Sequence, residues 1–226
     1  MSSVKGMTSI TRKILMALSG FFLLIFLLQH CAINMLSVIS PDMFNEVSHF
    51  MGTNPLVQFA LQPVLAFGVF FHIGMGMVLD MKNKGARKVK YAMNRPSENA
   101  NWMSRNMVIT GLMVLAFLLL HFVDFWIPEL NTKFIVGDMS GLNAHGEFRY
   151  WEELHHKFAN PIWTALYSVA FVFLSLHLMH GFQSAFQSVG FRHSRYTPML
   201  QKLGNIYAIV IPAGFILIAV YHFINA

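Results

Sequence analysis

Eleven histidines stand in a chain of 226 residues, and five of them, His30, His72, His121, His177 and His180, lie inside long apolar runs. His222 lies at the end of the last such run. A polar side chain inside a bilayer is costly, so an ionisable residue there points first to function. A neutral imidazole offers one ring nitrogen to a metal and keeps a proton on the other. Two of them at one depth on facing helices are what a six-coordinate haem iron requires, with Nε2 on the iron and the Nδ1 proton given to a helix carbonyl. Such an iron has no open position, which favours electron transfer over oxygen chemistry. The single cysteine, Cys31, excludes a disulfide framework, a cysteine zinc site, an iron–sulfur cluster and covalent haem attachment through paired cysteines.

The elements that must position these histidines follow from composition. Apolar residues make up 55% of the chain and charged ones 12%, against about 25% charged in an ordinary soluble domain. Five stretches reach the roughly 20 apolar residues that a membrane helix needs. They are Ile14–Leu36, Pro55–Leu79, Met107–Ile127, Pro161–Phe186 and Leu203–Ile224. The expected fold is all-α, one transmembrane bundle of five helices over residues 1–226. The first span is too long for a cleavable signal peptide and reads as an uncleaved anchor.

Loop charge sets the expected orientation. Thirteen of the sixteen Lys and Arg residues fall in the N-terminal segment and in the loops after spans two and four. The loop after span one holds only Asp42 and Glu46 as charged residues. The basic loops should be cytoplasmic, placing the N-terminus inside and the C-terminus outside. The segment 128–160 is too short for a catalytic domain of at least about 50 residues. Chemistry on a soluble substrate would therefore come from a partner.

At about 1.5 Å per residue, His30 and His121 each lie roughly 24 Å from the cytoplasmic edge, His72 roughly 12 Å and His180 roughly 10 Å. That gives an inner pair, His72 with His180, and an outer pair, His30 with His121. The levels differ by roughly 12–14 Å, a spacing that would carry electrons across the membrane. His177 lies one turn from His180 on nearly the same face, and depth does not separate the two as ligands. Gly74, Gly76 and Gly181 follow these histidines and suit either a macrocycle's approach or ordinary helix packing.

The run from Phe158 to Gly190 adds a more specific signal. It reads Phe-Ala-Asn-Pro at 158–161, Ala165-Leu166-Tyr167, His177-Leu178-Met179-His180-Gly181, Ser184-Ala185-Phe186-Gln187 and Gly190. With one histidine in each of the first four spans, the chain resembles the single-chain, five-helix, two-haem cytochrome b subunit of succinate dehydrogenases and fumarate reductases. The resemblance covers nearly the whole chain. It implies two haem b groups, with His72 and His180 on the inner iron and His30 and His121 on the outer. The His-Gly element favours His180 over His177, which then becomes an alternative ligand or hydrogen-bond donor. It also implies an iron–sulfur subunit carrying a flavoprotein subunit on the cytoplasmic face, a membrane quinone, usually menaquinone, and a bacterial inner membrane. In some members a carboxylate near the start of span two exchanges the quinone proton, and Glu46 is nearest to that position, with Asp42 and His49 beside it. Some fumarate-reducing members carry a Glu two residues before the fourth ligand as part of a proton path. Leu178 stands there in this chain. Asp124, one turn after His121, could orient a ligand or pass protons.

The lipid bilayer joins these subunits and the quinone as an expected partner, and nucleic acid is not expected. A single complex and a dimer or trimer of complexes are equally compatible with the sequence. Two other readings compete. One is the cytochrome b anchor of another respiratory dehydrogenase or hydrogenase. The other is a haem-free transporter, which five spans without an evident repeat argue against.

Overall fold

The computed structural model describes residues 7–85, 106–191 and 193–226. Lys5, Arg87, Lys88, Lys90, Arg95, Arg105 and Arg192, much of the charge behind the expected orientation, lie outside them. The described residues are almost wholly helical, and five helical stretches are long and apolar enough to cross a membrane. These are Ser9–Ile39, Val57–Asn83, Met107–Val136, Pro161–Ser188 and Thr197–Ile224.

The first span is α1 (Ser9–Ile39), started by Thr8, whose side chain accepts from the Thr11 N–H. Ser40 ends it and caps the next helix, α2 (Pro41–Thr53), with Pro41 at the first position, where a missing N–H costs nothing. The second span opens with a π-helical turn, Val57–Leu61, and continues as α3 (Gln62–Gly85). The third begins as α4 (Met107–His121), widens into a π-turn at Phe122–Trp126, passes through α5 (Ile127–Leu130) and ends in a second π-turn, Asn131–Val136. The turns Val57–Leu61 and Phe122–Trp126 each come just before a proline, Pro63 and Pro128. A proline inside a helix cannot donate to the carbonyl four residues back and clashes with it, here at Phe59 and Asp124. The wider turn relieves that clash and lengthens the third span beyond Ile127. Gly137, in the left-handed region at φ 82°, stops it.

A loop then leads to α6 (Tyr150–Ala159), and Asn160 caps α7 (Pro161–Ser188), the fourth span. The fifth span is α8 (Thr197–Ile224). In the loop, Gly141 (φ 67°) brings its backbone against His49 and Tyr150 so closely that a Cβ would lie 2.9 Å from the His49 Nδ1. Only glycine fits that approach.

The fourth span is central. It packs on α1, α4 and α8, while α1 also packs on α3 and α8. Tyr167, Phe171, Leu174 and Leu178 of α7 meet Ala208, Ile211, Phe215, Ile218 and Ala219 of α8 in one buried cluster. It reaches Phe44 of α2 and Leu154 and Phe158 of α6. Spans two and three, by contrast, turn large apolar side chains such as Phe59, Phe67, Phe70, Ile109 and Leu119 outward. That distribution suits a bundle in lipid, where outward apolar surface carries no penalty.

Candidate functional site: two histidine pairs

Four of the intraspan histidines meet in two pairs. His30 of α1 and His121 of α4 lie with ring centroids 5.8 Å apart, their planes at 83°. His72 of α3 faces His177 of α7 at 6.5 Å and 76°. Two imidazoles on one metal, each bond being about 2 Å, would have centroids roughly 6 Å apart. Both pairs sit at that separation. The ring opposite His72 is thus His177. Among the described residues, neither a hydrogen bond nor a ring contact engages the half-buried His180. The depths estimated from sequence leave this choice open, because one helical turn moves a ring by only about 5 Å along the axis.

At the inner pair the proton positions follow from hydrogen-bond accounting. The Ser19 hydroxyl lies 2.8 Å from the Met16 carbonyl, which can only accept, so its proton points there. Ser19 Oγ must then accept from the His72 Nδ1 at 3.0 Å. Thr110 repeats the device. Its hydroxyl donates to the Met107 carbonyl at 3.0 Å and accepts from the His177 Nδ1 at 3.4 Å. Neutral imidazoles fixed as Nδ1–H tautomers leave both Nε2 lone pairs free for a metal. The sequence suggests a helix carbonyl as the direct acceptor; at His72 the Ser19 hydroxyl takes that place, while at His177 the Met107 carbonyl shares it with the Thr110 hydroxyl. Gly20 and Gly111 flank the pair: a Cβ on them would come 3.7 Å from His72 and 3.4 Å from His177. Gly74 faces open space, whereas Gly76 and Gly181 face the methyl ends of Met16 and Met107.

The outer pair is built differently. Phe26 stacks on His30 and Phe117 on His121, with Phe125, Phe215 and Tyr167 closing the surroundings. His30 Nδ1 lies 3.4 Å from the Asn34 amide nitrogen, which also donates to the His30 carbonyl. His121 Nδ1 is buried with no hydrogen-bond partner. A buried orphan nitrogen costs about 1–3 kcal/mol and calls for an explanation such as a bound ion.

Haem is the group that the resemblance implies for these residues. Two free Nε2 lone pairs at the inner level, and two imidazoles whose centroids stand at a metal-spanning separation at the outer level, fit an axially ligated iron. Among the described residues, no three His, Cys, Asp or Glu side chains converge as in a metal cage. Axial ligation needs only two.

Beyond the outer pair lies a charged cleft of about 400 Å³ between the third span and α6. At its wall Asp124, almost fully buried, pairs with Lys157 at 3.0 Å and accepts from the Tyr167 hydroxyl at 2.7 Å. Glu129 pairs with Lys133 at 2.7 Å and with Arg149, which also holds Glu153 at 2.6 Å. Burial alone would disfavour the Arg149 charge, but the carboxylates of Glu153 and Glu129 outweigh it and raise its pKa. Burial likewise pushes Tyr150 up to about 12. Glu46 and Asp42 stand exposed on α2 and do not line this cleft, and His49 stacks on Phe148. Sequence reasoning missed Ser19 and Thr110, although each lies on a span that itself carries a histidine. It also missed Lys133, Arg149 and Lys157 as ion-pair partners inside the acidic loop.

No family model, no curated protein and no solved structure matches this chain.

Proposed function

We propose that the chain is the membrane anchor and electron-transfer subunit of a succinate:quinone oxidoreductase, oriented with its N-terminus in the cytoplasm of a bacterial cell. The observation that carries the reading is the meeting of four intraspan histidines in two pairs, each at the spacing of two ligands on one metal. His30 and His121 would hold the outer haem b. His72 would hold the inner one together with a fourth-span histidine. The geometry favours His177 for that place and the His-Gly motif favours His180, and separate alanine variants distinguish them. When bound, the two haems supply one-electron carriers between a cytoplasmic iron–sulfur subunit with its flavoprotein and a membrane quinone, menaquinone by the resemblance.

The chain's own residues do the rest. Ser19 and Thr110 keep the Nδ1 protons of His72 and His177 and so present Nε2. The phenyl rings around His30 and His121 exclude water. On this reading quinone reacts near the outer pair, because a second carrier in that half of the membrane serves little purpose otherwise. Glu46 at the membrane edge is our first candidate for proton exchange with it. Glu46→Gln should then lower quinone turnover while succinate oxidation by an artificial acceptor continues. Normal turnover would remove Glu46 from the reading.

Purification of the chain from its own membranes tests the whole assignment. Haem b bands in the reduced-minus-oxidised spectrum, with an iron–sulfur and a covalent-flavin subunit, are expected. A nickel or molybdenum subunit instead would move the chain to another respiratory enzyme. Absence of any haem band would refute the proposal.

A further inference from the structure

A third histidine pair lies where α6 crosses the end of α8, outside the redox reading. His155 Nδ1 and His222 Nδ1 are 3.2 Å apart. His222 is wholly buried, at 0% exposure, and its Nε2 lies 3.0 Å from Ser37 Oγ. The tautomers again follow from accounting. Ser37 donates to the Asn34 carbonyl at 2.7 Å, so it must accept from His222 Nε2–H. A neutral His222 then has a bare Nδ1, and the proton between the rings belongs to His155. A neutral His155 that carries its proton on Nδ1 has a bare Nε2, which no hydrogen bond engages among the described residues. Trp151 stacks on His155 at 4.7 Å and 10°, and its indole N–H donates to the Ser37 carbonyl at 2.9 Å.

We propose that His155 and His222 form a proton-binding site that takes up one proton for the pair, admitted at His155 Nε2 and passed to His222. The proton added at Nε2 makes His155 cationic. Its Nδ1 proton can then move to His222 Nδ1, leaving His155 neutral with the new proton on Nε2 and His222 carrying the charge. The Trp151 face attracts the cation in its first position. A second proton would put two charges on rings in contact, so the pair saturates at one. The Ser37 proton is committed to a backbone carbonyl, which makes this a store rather than a through-wire.

The charged and titratable groups on the elements around the pair have other partners or are exposed. From α1 it meets Ser37, from α8 Tyr221, and the first turn of α7 carries no ionisable side chain, while Tyr167 in the second gives its proton to Asp124. On α2, Asp42 and Glu46 are exposed and His49 stacks on Phe148. On α6 itself, Glu153 and Lys157 are in ion pairs, Glu152 accepts from Asn143, and His156 is exposed.

Nitrogen-15 NMR of histidine-labelled full-length chain in lipid bilayers tests the site, with His155→Gln and His222→Gln assigning the signals. At high pH one ring should show Nδ1–H and the other Nε2–H. On acidification both rings should shift together with uptake of one proton. Ser37→Ala should release the lock and leave His222 as a mixture of tautomers. Two independent protonations, the same tautomer on both rings, or no uptake at either ring on acidification would overturn the proposal. The wild-type spectrum decides this whether or not His222→Gln folds.

Discussion

The inner and outer histidine pairs share a ring separation and little else. His72 and His177 are held by hydroxyls, each committed to a helix carbonyl, and among the described residues no Phe, Tyr or Trp ring stacks on either. His30 and His121 are held by packing among five aromatic rings, and the His121 Nδ1 has no partner. The inner pair is preorganised by tautomer, the outer by shape. A ligand ring with its distal proton fixed presents its lone pair without rearrangement, and losing that fixture typically costs 10–100-fold in metal affinity. A ring held by packing keeps its orientation but must find its tautomer on binding.

The comparison breaks most sharply at the ligands. His30→Ala and His121→Ala should each remove the same half of the bound haem, and His72→Ala the other half, as read by the absorbance of purified variants. His177→Ala and His180→Ala then identify the fourth-span ligand, because only one should match the loss seen in His72→Ala. A third spectral pattern, with all four positions removing the same haem, would dissolve the two-level picture.

The next effect is an asymmetry. Ser19→Ala and Thr110→Val should weaken retention of the inner haem by about tenfold on competition with apomyoglobin. Asn34→Ala at the outer level should change retention much less, because its amide does not accept the His30 proton. Equal losses at both levels would mean that tautomer locking is not what separates them.

Stability should also differ between the ends. Asp124→Ala strips Lys157 and the Tyr167 hydroxyl of a shared, nearly buried partner beside the outer pair. It should cost about 3 kcal/mol, measured by thermal denaturation in detergent. The smallest expected effect is on potential. If His155 and His222 gain a proton as pH falls, the added positive charge lies near the outer pair, Ser37 being seven residues or roughly 10 Å along α1 from His30. Positive charge favours the reduced state, so the outer midpoint should rise on acidification and do so less in His155→Gln. The inner midpoint should respond less in both.

Span number and helical class were legible in the sequence because a bilayer demands long apolar runs. The extension of the third span to Val136 was not, since proline ordinarily ends a helix and here the chain absorbs Pro128 by widening a turn. The meeting of His30 and His121 follows from depth, which a constant helical rise makes readable. Which of His177 and His180 turns toward His72 depends on the rotation of α7 about its axis, and packing against α1, α4 and α8 sets that. The hydroxyl locks at Ser19 and Thr110 were hidden because Ser and Thr inside a span usually return their proton to their own helix. They do so here as well, and the histidine uses what remains. Glu46 rests on the resemblance and on its position in the chain. Its exposure on α2, away from the charged cleft, is a property of how α2 packs between α1 and α6.

The central claim is that four histidines on four spans hold two haems. Pyridine haemochrome quantitation on the purified full-length chain tests it most directly, with protein determined by amino-acid analysis. Two haems b per chain is the predicted result, and a chain that binds none would contradict it.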